Sequence, residues 1–425
     1  MAEEVNSKRE VQVHGTGRIV KNVLVISLAF MTQFTAYSGA ANLQSSINAS
    51  AGLGTAALAA VYAGLILSNI FLPVFVIKWL GTKWTISFSF LTYMPYIAAQ
   101  LYPRFYTMIP AGLLVGLGGG PLWCAKCTYL YVMSEAHSAI SKITAEALLV
   151  RFLGIFFMIF HTSQIWGNLI SSLGIYLACM AGAAIIVAVG VDPMKKFDTR
   201  GSGSGTGLSG LALLAATLKL LIEPNQILMI PINVFLGFQQ AFFGADFTAA
   251  FVSCAVGTGS VGFVMMTYGL ADAIGCIVNG YIAKIIDRLP LICIATIINI
   301  AILTTLLTWH PNGGQAYVLY IIIVVLGFSD SIWIVQINAY YSILFPGREE
   351  AAFSNFRLWE SVGYIVAYVI SPYLRTSVKT YLMLSLLVLG LSCYFTVEYR
   401  ERRKKSKLNT PDVGCDNFAF QICEK

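Results

Sequence analysis

Long apolar runs separated by short polar breaks dominate the chain. A helix that crosses a bilayer needs roughly 20 mostly apolar residues. Runs of that kind start near Asn22, Thr55, Trp84, Phe105, Leu148, Gly174, Gln226, Gly259, Pro290, Ala316, Phe356 and Thr380, predicting twelve crossings. The longest polar break runs from Asp192 to Glu223 and divides them six and six. It holds Lys195, Lys196 and Arg200, then the glycine–serine stretch of 201–207, which reads as a flexible linker. Residues 208–222 suit a short amphipathic helix on the membrane surface. The expected organisation is an N-terminal segment 1–21, a six-helix bundle 22–191, a linker 192–225, a second six-helix bundle 226–398 and a basic tail 399–425. Leu148 to Val191 is almost continuously apolar, broken only at 168–174, which leaves a very short connection between the fifth and sixth crossings.

Composition agrees with this pattern. Of 425 residues, 57% are hydrophobic and 11% charged, where a soluble domain carries roughly 25% charged. With a mean hydropathy of +0.74, the chain is an all-α polytopic membrane protein. The first apolar run is long and lacks a small-residue cleavage site, so it reads as a retained span. A net charge of +7 does not indicate nucleic acid, because the basic residues flank the spans. They do so unevenly. Arg104, Arg375 and Lys379 fall on one side, and the other Lys and Arg flanking the spans fall on the opposite side, among them Lys78, Lys83, Lys142, Arg288 and the tail cluster Arg400–Lys407. That asymmetry predicts both termini in the cytosol. The one sequon, Asn48-Ala49-Ser50, then lies in the first outside loop as a candidate glycosylation site. The tail cluster should attract anionic lipid headgroups. Nine cysteines, mostly scattered through apolar runs, form no disulfide framework.

The halves also match internally. Tyr62, Lys78 and Leu80 correspond to Tyr268, Lys284 and Ile286 at an offset of 206. Arg151 and Gly154 correspond to Glu360 and Gly363 at 209, and Trp123, Lys126 and Tyr131 to Trp333, Gln336 and Tyr341 at 210. A steady offset over an even number of spans predicts two copies of the same orientation, the parallel repeat of major-facilitator folds.

Ionisable groups inside apolar spans are costly and should face a cavity or a partner. The candidates are Lys126, Asp272 and Asp330 near mid-span, Asp246 nearer an outer end, and Arg151, Arg357 and Glu360 at the starts of the fifth and eleventh spans. For Asp330 and Lys126 one reading is a polar contact between halves that gates or stabilises one conformation; the other is a static pair or a snorkelling lysine. Arg357 and Glu360 have the spacing of an i,i+3 pair. Gly116-Leu-Gly-Gly-Gly-Pro121 looks like a phosphate loop, but small residues in an apolar span serve close helix packing. Cys124-Ala-Lys-Cys127 has metal spacing without a histidine nearby, and His161 stands alone as a packing residue or proton relay. No catalytic constellation is visible, and no cofactor or metal is implied.

Several stretches resemble one family: Phe34–Gly39 (FTAYSG), Leu43–Ile47 (LQSSI), Pro121–Leu130 (PLWCAKCTYL), Trp166–Leu173 (WGNLISSL) and Glu350–Gly363 (EAAFSNFRLWESVG). They are similar to the uncoordinated-ninety-three (Unc) family of major-facilitator-like proteins, above all its shorter A-type members. The resemblance implies the twelve-helix major facilitator fold and a non-enzymatic role on a membrane partner, at the plasma membrane or in the endoplasmic reticulum and endosomes. The implied partner is a potassium channel, regulated as by a subunit. Transport of a small solute or ion and escort of Toll-like receptors are alternatives. Two departures stand out. The outside loop after WGNLISSL is missing, and Lys78 and Lys284 stand where superfamily transporters carry an acidic gate residue.

Overall fold

The computed structural model describes residues 15–47, 53–170, 173–197, 218–282, 285–309, 313–371 and 373–409, together with 215 and 311. Asn48, Lys284, most of the linker and the tail beyond Asn409 lie outside the described residues.

The described chain is helical. Its main elements are α1 (Thr16–Ile47), α2 (Leu53–Leu91), α3 (Met94–Ala99), α4 (Phe105–Ile140), α5 (Ala145–His161), α6 (Ser163–Leu169), α7 (Leu173–Gly190), α8 (Pro224–Ala241), α9 (Val261–Ile282), α10 (Arg288–Thr308), α11 (Ala316–Leu344), α12 (Glu349–Ile370) and α13 (Thr376–Asn409). A π-helical segment, Phe242–Ser253, continues α8. Among the described residues nine helices are long and apolar enough to cross a membrane. Three features separate this number from the expected twelve. The run Ala56–Ala99, at 44 residues, is twice the length of one crossing, and it bends at Gly81, whose φ of 73° suits glycine. Gly174–Gly190 is apolar but shorter, and α12 is diluted by its charged residues. A helix stands at each of the twelve expected positions.

Local sequence sets the ends. Thr144 caps α5 by accepting from the Ala147 amide at 3.4 Å, and Asp287 caps α10 by accepting from the Arg288 amide at 3.0 Å. These acceptors satisfy backbone donors that a helix start leaves free. The short α6–α7 connection is braced by Tyr176, whose hydroxyl lies against the carbonyl oxygens of Gly167, at 2.9 Å, and of Ile170.

Packing repeats between the two halves of the chain. In the first, α2 packs on α4 and α1 on α5 and α7; in the second, α9 packs on α11 and α8 on α12 and α13. The same chemistry supports the equivalent crossings. A Cβ on Gly116 would lie 2.1 Å from the Val61 carbonyl oxygen, and one on Gly327 would lie 2.8 Å from that of Tyr268. The run after Gly116 packs likewise against Thr92, Leu65 and Ser68, which is the close-packing role and not a phosphate cradle. The halves meet along α2·α12 and α5·α9, two contacts that exchange under a six-span shift.

Candidate functional site between the two helix sets

At the α5·α9 crossing Gly154 faces the Cys276 carbonyl and Gly280 so closely that a Cβ would lie 2.7 Å from that oxygen. Two turns along α5 and one along α9, His161 Nδ1 lies 2.8 Å from the Asp272 carboxylate, joining the halves. The Cys276 thiol donates to the other Asp272 oxygen at 3.6 Å. His161, Asp272 and Cys276 are the only group of three such ligand atoms within 4.8 Å among the described residues. His161 Nε2 has no hydrogen-bond partner there. The Asp-x-x-x-Cys spacing of one helical turn was the sequence signal for this cluster; nothing in sequence brings His161 to it, because the contact crosses the halves.

Asp330 lies beside it, fully buried. Its carboxylate accepts from the Tyr268 hydroxyl at 2.6 Å and from the Gln239 and Gln240 amides at 3.4 Å each. Gln240 in turn accepts from the Tyr364 hydroxyl. Tyr268, Gln239, Gln240 and Tyr364, the side chains around Asp330, line a cavity of about 180 Å³ between the halves. Tyr62 of α2 and Tyr364 of α12 close one wall, stacked across the boundary with ring centres 4.2 Å apart. The π-helical segment forms another wall through Phe243, Gly244 and Ala245. Such wide turns are rare and concentrate at functional sites.

The contact expected between Asp330 and Lys126 does not form. Lys126 is completely buried, and its Nζ lies 4.5 Å from the ring centres of both Phe156 and Phe157 and 5.2 Å from that of Trp123. Among the described residues it has no hydrogen-bond partner; ring faces hold it by cation–π attraction. Opposite it, Arg357 Nη1 and Glu360 Oε2 pair at 2.5 Å. This pair is inside the protein, at 7% and 5% exposure, and not on a helix surface. Arg151 lies across the boundary from α9, 5.7 Å from the Tyr281 ring.

Two further expectations change. Lys379 is not a loop charge: it is buried against Asp246, which also accepts from Ser371 at 2.7 Å, because the carboxylate on the π-helical segment needs a partner. The loop before α10 is not without an acid. Asp287 takes Arg402 of α13; burial raises its affinity for a proton, but the hydrogen bonds from Arg402 and the Arg288 amide, with the charges of both arginines, together outweigh this and hold it below the ordinary range. Cys124 and Cys127 are buried, and the Cys127 thiol donates to Asn338 Oδ1 at 3.5 Å, so this pair spends its polar capacity on packing.

Two duplicated helix sets around a boundary cavity define a membrane protein of the major facilitator fold. Solved structures agree: the human organic anion transporter MFSD10 superposes with a TM-score of 0.62 at 12% identity, covering 89% of this chain and 99% of that one. The Escherichia coli fucose:proton symporter FucP gives 0.60 at 13%, covering 90% and 99%. The family model described as ion channel regulatory protein UNC-93 matches residues 44–395. Protein unc-93 homolog A of Xenopus laevis is 33% identical, covering 96% of this chain and 99% of its own length, and that of Homo sapiens 31%, covering 93% and 96%. The "Putative potassium channel regulatory protein unc-93" of Caenorhabditis elegans is 28% identical, covering 94% of this chain and 65% of its own length. The chain belongs to the UNC-93 family.

Proposed function

We propose that this protein is a regulatory subunit of a membrane channel, and of a potassium channel in particular. The family match over residues 44–395 carries the reading, and the name given to the nematode relative supplies the channel type. The apolar exterior supports a partner within the bilayer: Phe71, Phe75, Phe88, Ile294 and Ile297 are exposed on helices that cross it, where close packing rather than the hydrophobic effect would join a second protein. In this reading both termini lie in the cytosol, and the basic end of α13 rests on anionic headgroups. Co-expression with potassium channels tests it. A changed current and co-purification of channel with the protein support it; unaltered currents across a channel panel, with both proteins at the surface, reject it.

The boundary cavity favours a second reading, transport of a small solute. Uptake into proteoliposomes that Asp330→Asn abolishes would support it, and its absence with a correctly folded protein would count against it.

A further inference from the structure

The cavity between the helix sets has a definite chemistry. Its lining holds no Lys, Arg, His, Asp or Glu among the described residues. Tyrosines dominate: Tyr37 and Tyr62 come from the first half, and Tyr268, Tyr364 and Tyr368 from the second. Three of them form a layer, Tyr62 stacking on Tyr364 with Tyr368 adjacent, its ring centre 5.7 Å from that of Tyr62. Ring faces carry negative potential and attract cations, quaternary ammonium groups above all. Behind this wall stands a carboxylate, Asp330, and the three groups that hydrogen-bond it, Tyr268, Gln239 and Gln240, are all cavity-lining residues.

A second observation points the same way. Among the described residues, the buried charged side chains along the boundary are Lys126 and Arg357 against Glu360, Asp272 and Asp330. Two cations face three carboxylates in a region where an unbalanced charge is costly. One further positive charge, brought by a ligand or by a proton on His161, Asp272 or Asp330, completes the set. At about 180 Å³ the space is below the roughly 300–1,000 Å³ of drug-sized pockets, so the ligand is small.

We propose that this cavity binds a small organic monocation, its charged group held against the tyrosine faces and answered by Asp330. The inference does not depend on the channel reading, since a bound cation could be sensed or carried. The π-helical wall is anchored within the second half by Asp246 and Lys379, and the Tyr62–Tyr364 stack joins the halves beside the ligand, so occupancy fixes their relative position.

The test compares choline with its neutral carbon isostere, 3,3-dimethylbutan-1-ol, on the purified full chain in nanodiscs, by calorimetry and thermal shift. Choline is expected to bind at least tenfold more tightly than the isostere and to raise the melting temperature. Asp330→Asn is expected to remove most of that preference. Equal binding of the two compounds overturns the proposal, as does the lack of saturable choline binding up to about 10 mM. Should Asp330→Asn fail to fold, the wild-type comparison decides by itself. A choline affinity that survives Asp330→Asn unchanged in a monodisperse protein also overturns it.

Discussion

The guanidinium of Arg357 lies 4.5 Å from the ring centre of Trp123, across the boundary between the two helix sets. Trp123 also neighbours Lys126, so one indole from α4 serves a cation from each half. Arg357 has a carboxylate of its own, Glu360, one turn along α12. Breaking a buried pair leaves an uncompensated charge and costs about 3–5 kcal/mol, whereas replacing both members by apolar residues of similar size is often neutral. Arg357→Met and Glu360→Leu are therefore each expected to lower thermal stability strongly, and the double variant to recover most of the loss. Melting of the four proteins in one detergent checks this; a double variant as unstable as the sum of the singles would show that the two side chains do not act as a pair.

Glycine positions give a sharper stability contrast. A side chain at Gly116 would meet the Val61 carbonyl oxygen and the Leu65 amide nitrogen, both backbone atoms that cannot rotate away. Gly182 in α7 has nothing within 4 Å of its would-be Cβ. Gly116→Val is expected to cost about 1–3 kcal/mol or more by overpacking, with loss of folded yield. Gly182→Ala should be neutral or stabilising by about 0.5–1 kcal/mol from helix propensity. Size-exclusion profiles and melting temperatures measure both.

Much of this architecture can be read along the chain. Span positions follow from apolar run length, and the duplication from the offset near 206–210 between matched residues such as Tyr62 and Tyr268 or Trp123 and Trp333. The site is less legible. Asp272, Asp330, Lys126, Arg357 and Glu360 stand out because charge is rare in such spans, yet their partners do not. Asp330 is held by Tyr268 and two glutamines, polar residues too common to signal a role. Lys126 is held by ring faces rather than an acid, and aromatic residues in a span look like ordinary packing. Lys379 reads as a loop charge because it opens a helix, and only the three-dimensional reach of Asp246 reveals its burial. Contacts between halves, such as His161 with Asp272 at 2.8 Å, leave no local pattern at all.

Asp192 joins the start of α1 to the segment after α7. It accepts from Arg18 at 2.7 Å and 2.9 Å and from Asn22 at 3.2 Å, with Lys21 and Lys196 at 3.4 Å and 3.6 Å. The Arg18 hydrogen bonds, helped by Asn22 and Lys21, hold its carboxyl far below the ordinary range. A depressed carboxyl contributes stability that is fully present above its unfolded value, near 4, and is lost as pH falls toward the folded value. Asp192→Asn is expected to melt below wild type at pH 6–7, and the gap should close as pH drops under about 4. A gap that stays constant to acid pH would mean that Asp192 acts by shape and not by charge.

Lys126 offers the clearest separation of stability from function. Its ammonium is fully buried against ring faces and the Cys127 thiol, with the Arg357–Glu360 pair opposite and Arg357 sharing Trp123. The desolvation cost of a buried ammonium with no carboxylate in contact exceeds its longer-range attraction to the boundary carboxylates, and methionine keeps the length and apolar volume of the stem. Lys126→Met is therefore expected to melt at or above the wild-type temperature. A lysine held only for packing would lose nothing else, and channel currents recorded with the variant would match those with wild type. A lysine that sets the relation between the halves would leave a stable protein with altered regulation of its partner. Recording melting temperature and co-expressed current on the same variant separates the two outcomes, and a fall in stability would instead show that cation–π attraction to Phe156, Phe157 and Trp123 exceeds the cost of burying the charge.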